Sequence, residues 1–62
     1  GFRRDVLKAS NNQCAITGEK MTEVLEACHV VDVRYNGPDD VWNGICLRSD
    51  VHELFDSGHL RI

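Results

Sequence analysis

The spacing of hydrophobic positions changes twice along this chain, and each change marks an element. Over Phe2 to Ala9, Phe2, Val6 and Ala9 recur at helical spacing with Leu7 beside them, which predicts a short helix. Ser10-Asn11-Asn12 ends it as a polar turn. Gln13-Cys14-Ala15-Ile16 is a brief apolar stretch before a second turn at Thr17-Gly18-Glu19-Lys20. From Val24 to Val33 the pattern is that of a strand, rich in the β-branched residues strands prefer. Alternation puts Val24, Glu26, Cys28 and Val30 on one face and Leu25, Ala27, His29 and Val31 on the other. His29 thereby projects from a strand among apolar neighbours.

Asn36-Gly37-Pro38-Asp39-Asp40 is a loop by composition. Ile45-Cys46-Leu47-Arg48 follows as a second short strand. Ser49 is placed to cap a helix, although Ser49-Asp50-Val51-His52 lacks the Glu or Gln that completes a capping box. Asp50 suits the positive end of the helix dipole. The helix runs through Asp56, and Gly58 stands where a glycine favours termination. His59-Leu60-Arg61-Ile62 alternates and predicts a closing strand. Trp42, Leu47, Leu54 and Phe55 are expected in the core. The expected class is α+β: an N-terminal helix, then strand, long loop, strand and helix, then a short C-terminal strand.

Size limits the rest. The 62 residues allow one domain, residues 1–62, whose folding buries only about 60% of the unfolded surface. The chain opens on Gly-Phe without a Met and closes on an apparent strand, so it is expected to be a fragment of a larger protein. No apolar run approaches the roughly 18 residues of a membrane helix, and no signal peptide is legible, so a cytoplasmic setting without membrane partners is expected. Cys14, Cys28 and Cys46 are odd in number and widely spaced, which favours reduced, buried thiols over a disulfide framework. The net charge of −3 runs against strong DNA binding, which is driven by basic residues that displace counterions. Arg3, Arg4, Lys8, Arg34 and Arg48 are the cations that could gather on one face.

Four residues carry candidate chemistry. His52 and Asp56 lie four apart on one predicted helix, so their side chains share a face one turn apart. Imidazole nitrogen and carboxylate oxygen together suit a divalent ion; a plain surface contact is the alternative. His29 is either a satisfied core histidine or a base, since its ordinary pKa lies near neutrality. Asn43 is either a turn residue or a brace that ties the long loop to the strand bearing His29. The cysteines lack the paired spacing of a structural zinc site. A Cys28–His29 nucleophile dyad is disfavoured, because alternation sends the two side chains to opposite faces.

The order and spacing of these residues are far more specific than any one of them. Cys14-Ala15-Ile16-Thr17-Gly18, Leu25-Glu26-Ala27-Cys28-His29 and Asn43-Gly44 through Asp56-Ser57-Gly58 resemble the HNH endonucleases, in the branch with L-E-A-x-H and N-G-x-x-L-R-x-D-x-H-x-L-F-D-x-G. The resemblance covers nearly everything from Cys14 onward. It implies a ββα-metal fold around one divalent ion and hydrolysis of DNA phosphodiester bonds. It assigns His29 as general base, Asn43 as structural brace and His52 as metal ligand, with Asp56 at the position of a further helix ligand. Many relatives carry Asp or His directly before the base; Cys28 stands there and is taken as a non-ligand. One divalent ion is expected, Mg²⁺ first, with Mn²⁺, Ni²⁺ and Zn²⁺ as alternatives. The implied partners are DNA, other domains that supply affinity or targeting, and a second copy for double-strand cleavage. Restriction and anti-phage defence proteins are the implied hosts. A catalytically inactive HNH module that binds DNA or protein is the alternative.

Overall fold

A computed structural model describes residues 1–61. Helix α1 spans Phe2–Ala9, strand β1 Leu25–His29, strand β2 Gly44–Arg48 and helix α2 Ser49–Asp56. The strands form one two-stranded antiparallel sheet, paired Leu25 with Arg48, Ala27 with Cys46 and His29 with Gly44. This is the expected α+β arrangement, with the ββα unit following an N-terminal helix.

Helix α1 occupies the residues its periodicity predicts and buries Val6 and Leu7. Its exit bends through Asn11 and Asn12, both left-handed at φ of 58° and 52°, a conformation Asn tolerates better than most residues. The Asn12 amide donates to the Leu7 carbonyl at 2.8 Å, which satisfies one of the helix's open C-terminal acceptors.

Strand β1 is half the predicted length. Val24 belongs to a 3-10 turn, Thr22–Val24, and Val33 to another, Val33–Tyr35. A strand extends only as far as its partner, and β2 offers five residues. Beyond His29 the backbone turns to a different partner. The Val30 amide donates to the Asn43 carbonyl at 2.8 Å, and the Val31 amide to the Asn43 side chain at 2.9 Å.

Alternation within β1 holds and sorts the two faces. The face of Leu25, Ala27 and His29 meets α1, where the Phe2 ring stacks on His29. The face of Glu26 and Cys28 meets α2, where Glu26 contacts His52. Gly44, paired with His29, lies directly beneath α1. A Cβ there would fall 2.2 Å from Val6 Cγ2, so only glycine lets the helix approach this closely.

Cys14, Cys28 and Cys46 are free and buried, as expected, and join Val6, Leu7, Leu25, Leu47 and Val51 in one core. Burial pushes the Cys14 thiol up, yet hydrogen bonds from Thr17 and from the Arg48 and Ile16 amides outweigh it and bring it down to about 7. Phe55 packs against the core edge.

Four expectations are corrected. Trp42 is 73% exposed, because the 3-10 turn Val41–Asn43 sends Asn43 inward and its neighbour outward. Leu54 is also exposed. The core stripe of α2 is Val51 and Phe55, its adjoining stripe is His52 and Asp56, and Leu54 falls outside both. Arg48, not Ser49, is the N-cap of α2. Its guanidinium reaches over the first turn to Asp50 at 2.7 and 3.0 Å, and this pairing holds the Asp50 carboxyl below its ordinary range. Finally, His59, Leu60 and Arg61 form no strand. The His59 and Leu60 amides instead fold back onto the Leu54 carbonyl at 2.9 and 3.1 Å past left-handed Gly58, which ends α2 as expected. Ile62 lies outside the described residues.

Candidate active site

The site forms where β1 ends, because three things happen at once: the strand loses its partner, α2 passes beneath, and the long loop folds back overhead. Cys28, His29, Asp32, His52 and Asp56 line one cavity of about 190 Å³. That is room for roughly six waters at about 30 Å³ each. A neighbouring cavity of about 310 Å³ shares His29, Asp32 and Asp56 with it and adds Arg34 and Phe55. His29 from the strand and the His52–Asp56 pair from the helix therefore border one shared space.

His52 and Asp56 share one face of α2, as their four-residue spacing predicts, with His52 Nε2 3.3 Å from Asp56 Oδ2. The other ring nitrogen of His52, Nδ1, lies 2.6 Å from Glu26 Oε1 on β1. A carboxylate at Nδ1 favours the proton there and leaves the Nε2 lone pair toward the cavity. Metal-binding histidines are commonly oriented by a partner of this kind.

Cys28 is the departure from expectation. Its Sγ, a His52 ring nitrogen and an Asp56 oxygen all lie within 4.8 Å of one another. A sulfur, a nitrogen and an oxygen so close are a credible set of donors for one divalent cation. Without an ion the thiol keeps its proton: burial pushes its pKa up to about 11, with Asp56, Asp32 and Glu26 adding to the rise. The residues present thus fit a metal, and the sulfur bears on which metal it is.

His29 is held at two surfaces. Its ring stacks on Phe2, with centroids 4.0 Å apart and planes 1° from parallel. Its Nε2 lies 2.6 Å from Asp39 Oδ1 on the long loop.

Asn43 is 2% exposed and all of its amide is used. Its Oδ1 accepts from the Val31 amide, and its Nδ2 donates to the Val31 and Pro38 carbonyls, both at 3.0 Å. One side chain thereby ties the exit of β1 to the far arm of the loop. The loop is also pinned at Gly37, where a Cβ would lie 1.7 Å from the Val31 carbonyl oxygen. Asp32 accepts from the Arg34 amide at 2.8 Å and from its guanidinium at 3.1 Å, and the guanidinium contact holds the Asp32 carboxyl low.

Glu26, Asp39 and Phe2 were not singled out from the sequence. For Glu26 a signal existed: it lies two residues before Cys28, on the same face of the strand. Nothing comparable marks Asp39, whose contact depends on how the loop closes, or Phe2, which reads as an ordinary core residue of α1.

No curated protein and no solved structure gives a significant match to the chain. A family model described as HNH endonuclease matches residues 14–62, which contain both strands, the long loop and α2. That match spans well over half of the chain and every residue of the cavity described above, and on it the chain belongs to the HNH endonuclease family.

Proposed function

We propose that this domain is the cleavage module of a metal-dependent DNA endonuclease. The observation that carries the reading is the single cavity lined by His29 from β1 and by His52 and Asp56 from α2. A phosphodiester hydrolase needs a base for water and a cation for the phosphate within a few ångströms of each other, and this cavity supplies candidates for both.

His29 is the general base. It accepts the proton of a water that attacks the phosphorus in line, and the bond from phosphorus to the 3′ oxygen breaks. The leaving 3′ oxygen takes a proton from solvent water, and the products carry 5′-phosphate and 3′-hydroxyl ends. Phe2 at the ring face keeps His29 from turning away. Asn43 acts at a distance, by fixing the loop that roofs the site. His52 and Asp56 would hold the cation, with Glu26 orienting His52. When bound, that cation would supply Lewis-acid stabilisation of charge on the phosphate and the leaving oxygen.

The donor set narrows the metal. Thiol, imidazole and carboxylate together suit borderline ions such as Zn²⁺ and Ni²⁺ better than Mg²⁺, which prefers oxygen. Cys28 would hold such an ion as a thiolate, giving up its proton to solvent. On this donor chemistry we favour Zn²⁺ or Ni²⁺ over Mg²⁺.

DNA affinity is expected to come largely from elsewhere in the full-length protein. The chain's net charge is −3, and Arg34, the one Lys or Arg lining the two cavities among the described residues, is engaged by Asp32. Two copies would be needed to cut both strands, since each supplies one base.

The test is nicking of supercoiled plasmid by the full-length protein with Mg²⁺, Mn²⁺, Ni²⁺ or Zn²⁺, and with EDTA. Metal-dependent appearance of open circles supports the reading. Their absence with every ion contradicts it.

A further inference from the structure

We infer that Asp39 is a positioning residue for the base: it fixes the tautomer and the orientation of His29 so that Nδ1 is the nitrogen that takes the proton. The inference rests on the nuclease reading above. Its own support is local geometry that neither the family match nor the sequence assigns.

Asp39 Oδ1 lies 2.6 Å from His29 Nε2. A neutral imidazole carries one N–H and one lone pair. A carboxylate at this distance accepts an N–H, so in the neutral ring the proton sits on Nε2 and the lone pair on Nδ1. Among the described residues Nδ1 takes no hydrogen bond, and no buried side-chain nitrogen or oxygen lacks a partner. Nδ1 is therefore in contact with solvent, and His29 lines both cavities. The face of the same ring is covered by Phe2. Strand, stacked ring and carboxylate together leave the imidazole one orientation.

The loop that carries Asp39 is itself anchored. Pro38, its immediate neighbour, accepts from Asn43 Nδ2, and the Asn43 amide donates to the carbonyl of Asp40 on the other side at 2.9 Å. Asn43 therefore braces both residues that flank Asp39, and this gives the buried asparagine a route to the base. The Asp39 side chain is 76% exposed, so solvent screens its charge. Its effect is expected to come from geometry and tautomer more than from a large electrostatic gain.

A competing role is latch rather than support. If Nε2 were the nitrogen that accepts the proton, Asp39 would occupy the place of the water and slow the reaction. The two roles predict opposite signs on removal.

The experiment uses the full-length protein and its Asp39→Ala, Asp39→Asn and Asp39→Glu variants. Imidazole ¹⁵N NMR is recorded with EDTA at mildly alkaline pH. Plasmid nicking is measured in parallel with the best metal. We expect the wild-type His29 spectrum to show the Nε2–H tautomer and Asp39→Ala to mix the two forms. In the Ala and Asn variants kcat should fall about 10–100-fold, by analogy with the outer partners that orient metal-bound histidines. KM and the urea midpoint should be unchanged, and Asp39→Glu should restore part of the rate. An Nδ1–H tautomer in the wild type, or wild-type or faster cutting by Asp39→Ala, would overturn the inference. Failure of the nuclease reading has a different signature: no cutting by the wild type with any metal, although Asp39→Ala still shifts the His29 tautomer.

Discussion

Glu26 Oε1 and His52 Nδ1 lie 2.6 Å apart, joining β1 to α2 across the face of the sheet that bears the metal-ligand candidates. The contact spans 26 residues of sequence and fixes which nitrogen of His52 is free. Replacing Glu26 by Ala should weaken binding of Zn²⁺ or Ni²⁺ by about 10–100-fold, as loss of a histidine's outer partner generally does. Titration calorimetry on wild type and variant checks it. Equal affinities would mean that Glu26 does not orient the ligand.

Cys28 separates a borderline site from a hard one. With Co²⁺ as probe, the wild type should show sulfur-to-cobalt charge-transfer absorption, and Cys28→Ser should lose it. The Ser variant should also bind Zn²⁺ less tightly while its response to Mg²⁺ changes little. A cobalt spectrum unaltered by Cys28→Ser would place the thiol outside the coordination shell, as the sequence first indicated.

Asn43 is expected to dominate the stability of the loop. Its side chain makes three hydrogen bonds in a buried position. Removing them strands the Val31 amide and two carbonyls, at roughly 1 kcal/mol or more each. Asn43→Ala should therefore cost about 2–4 kcal/mol in urea unfolding, a large share of what a domain this small has to lose. Asn43→Asp keeps the acceptor for Val31 and loses both donors, so it should fall between the two.

The Arg48–Asp50 pair makes a prediction with a definite sign. Contact with Arg48 holds Asp50 below the ordinary carboxylate value of 3.8. A depressed carboxyl contributes stability that is present above its unfolded pKa and is lost as pH falls through the folded one. Asp50→Asn should thus be less stable than wild type near neutrality, and the difference should fade in acid below pH 3.8. A difference that grew on acidification would contradict the assignment. Both groups are exposed, so the effect is small and is best read as a shift in urea midpoint.

What the sequence made legible was mainly local. Periodicity placed α1 over Phe2–Ala9, and the four-residue spacing of His52 and Asp56 put both on one helix face. Asn43 was legible as a brace only through its place in the family pattern, since by composition it is a turn residue. The length of β1 was not legible, because β-branched residues from Val30 to Val33 meet Asn43 and the loop instead of a strand partner. Trp42 looked like core because it is large and apolar, and a single 3-10 turn sends it to the surface. Glu26 and Asp39 were missed for one shared reason: each meets its histidine through chain reversal. Neither spacing nor composition encodes such a contact, although the alternation of β1 did put Glu26 on the face of Cys28.

The most direct test of the central claim is the single-turnover nicking rate of His29→Ala against wild type, with the preferred ion, in full-length protein. Loss of a general base slows cleavage by about 10²–10⁴-fold. The account predicts a fall in that range with metal affinity and urea midpoint unchanged. Near wild-type cutting by His29→Ala would contradict it, whatever the metal.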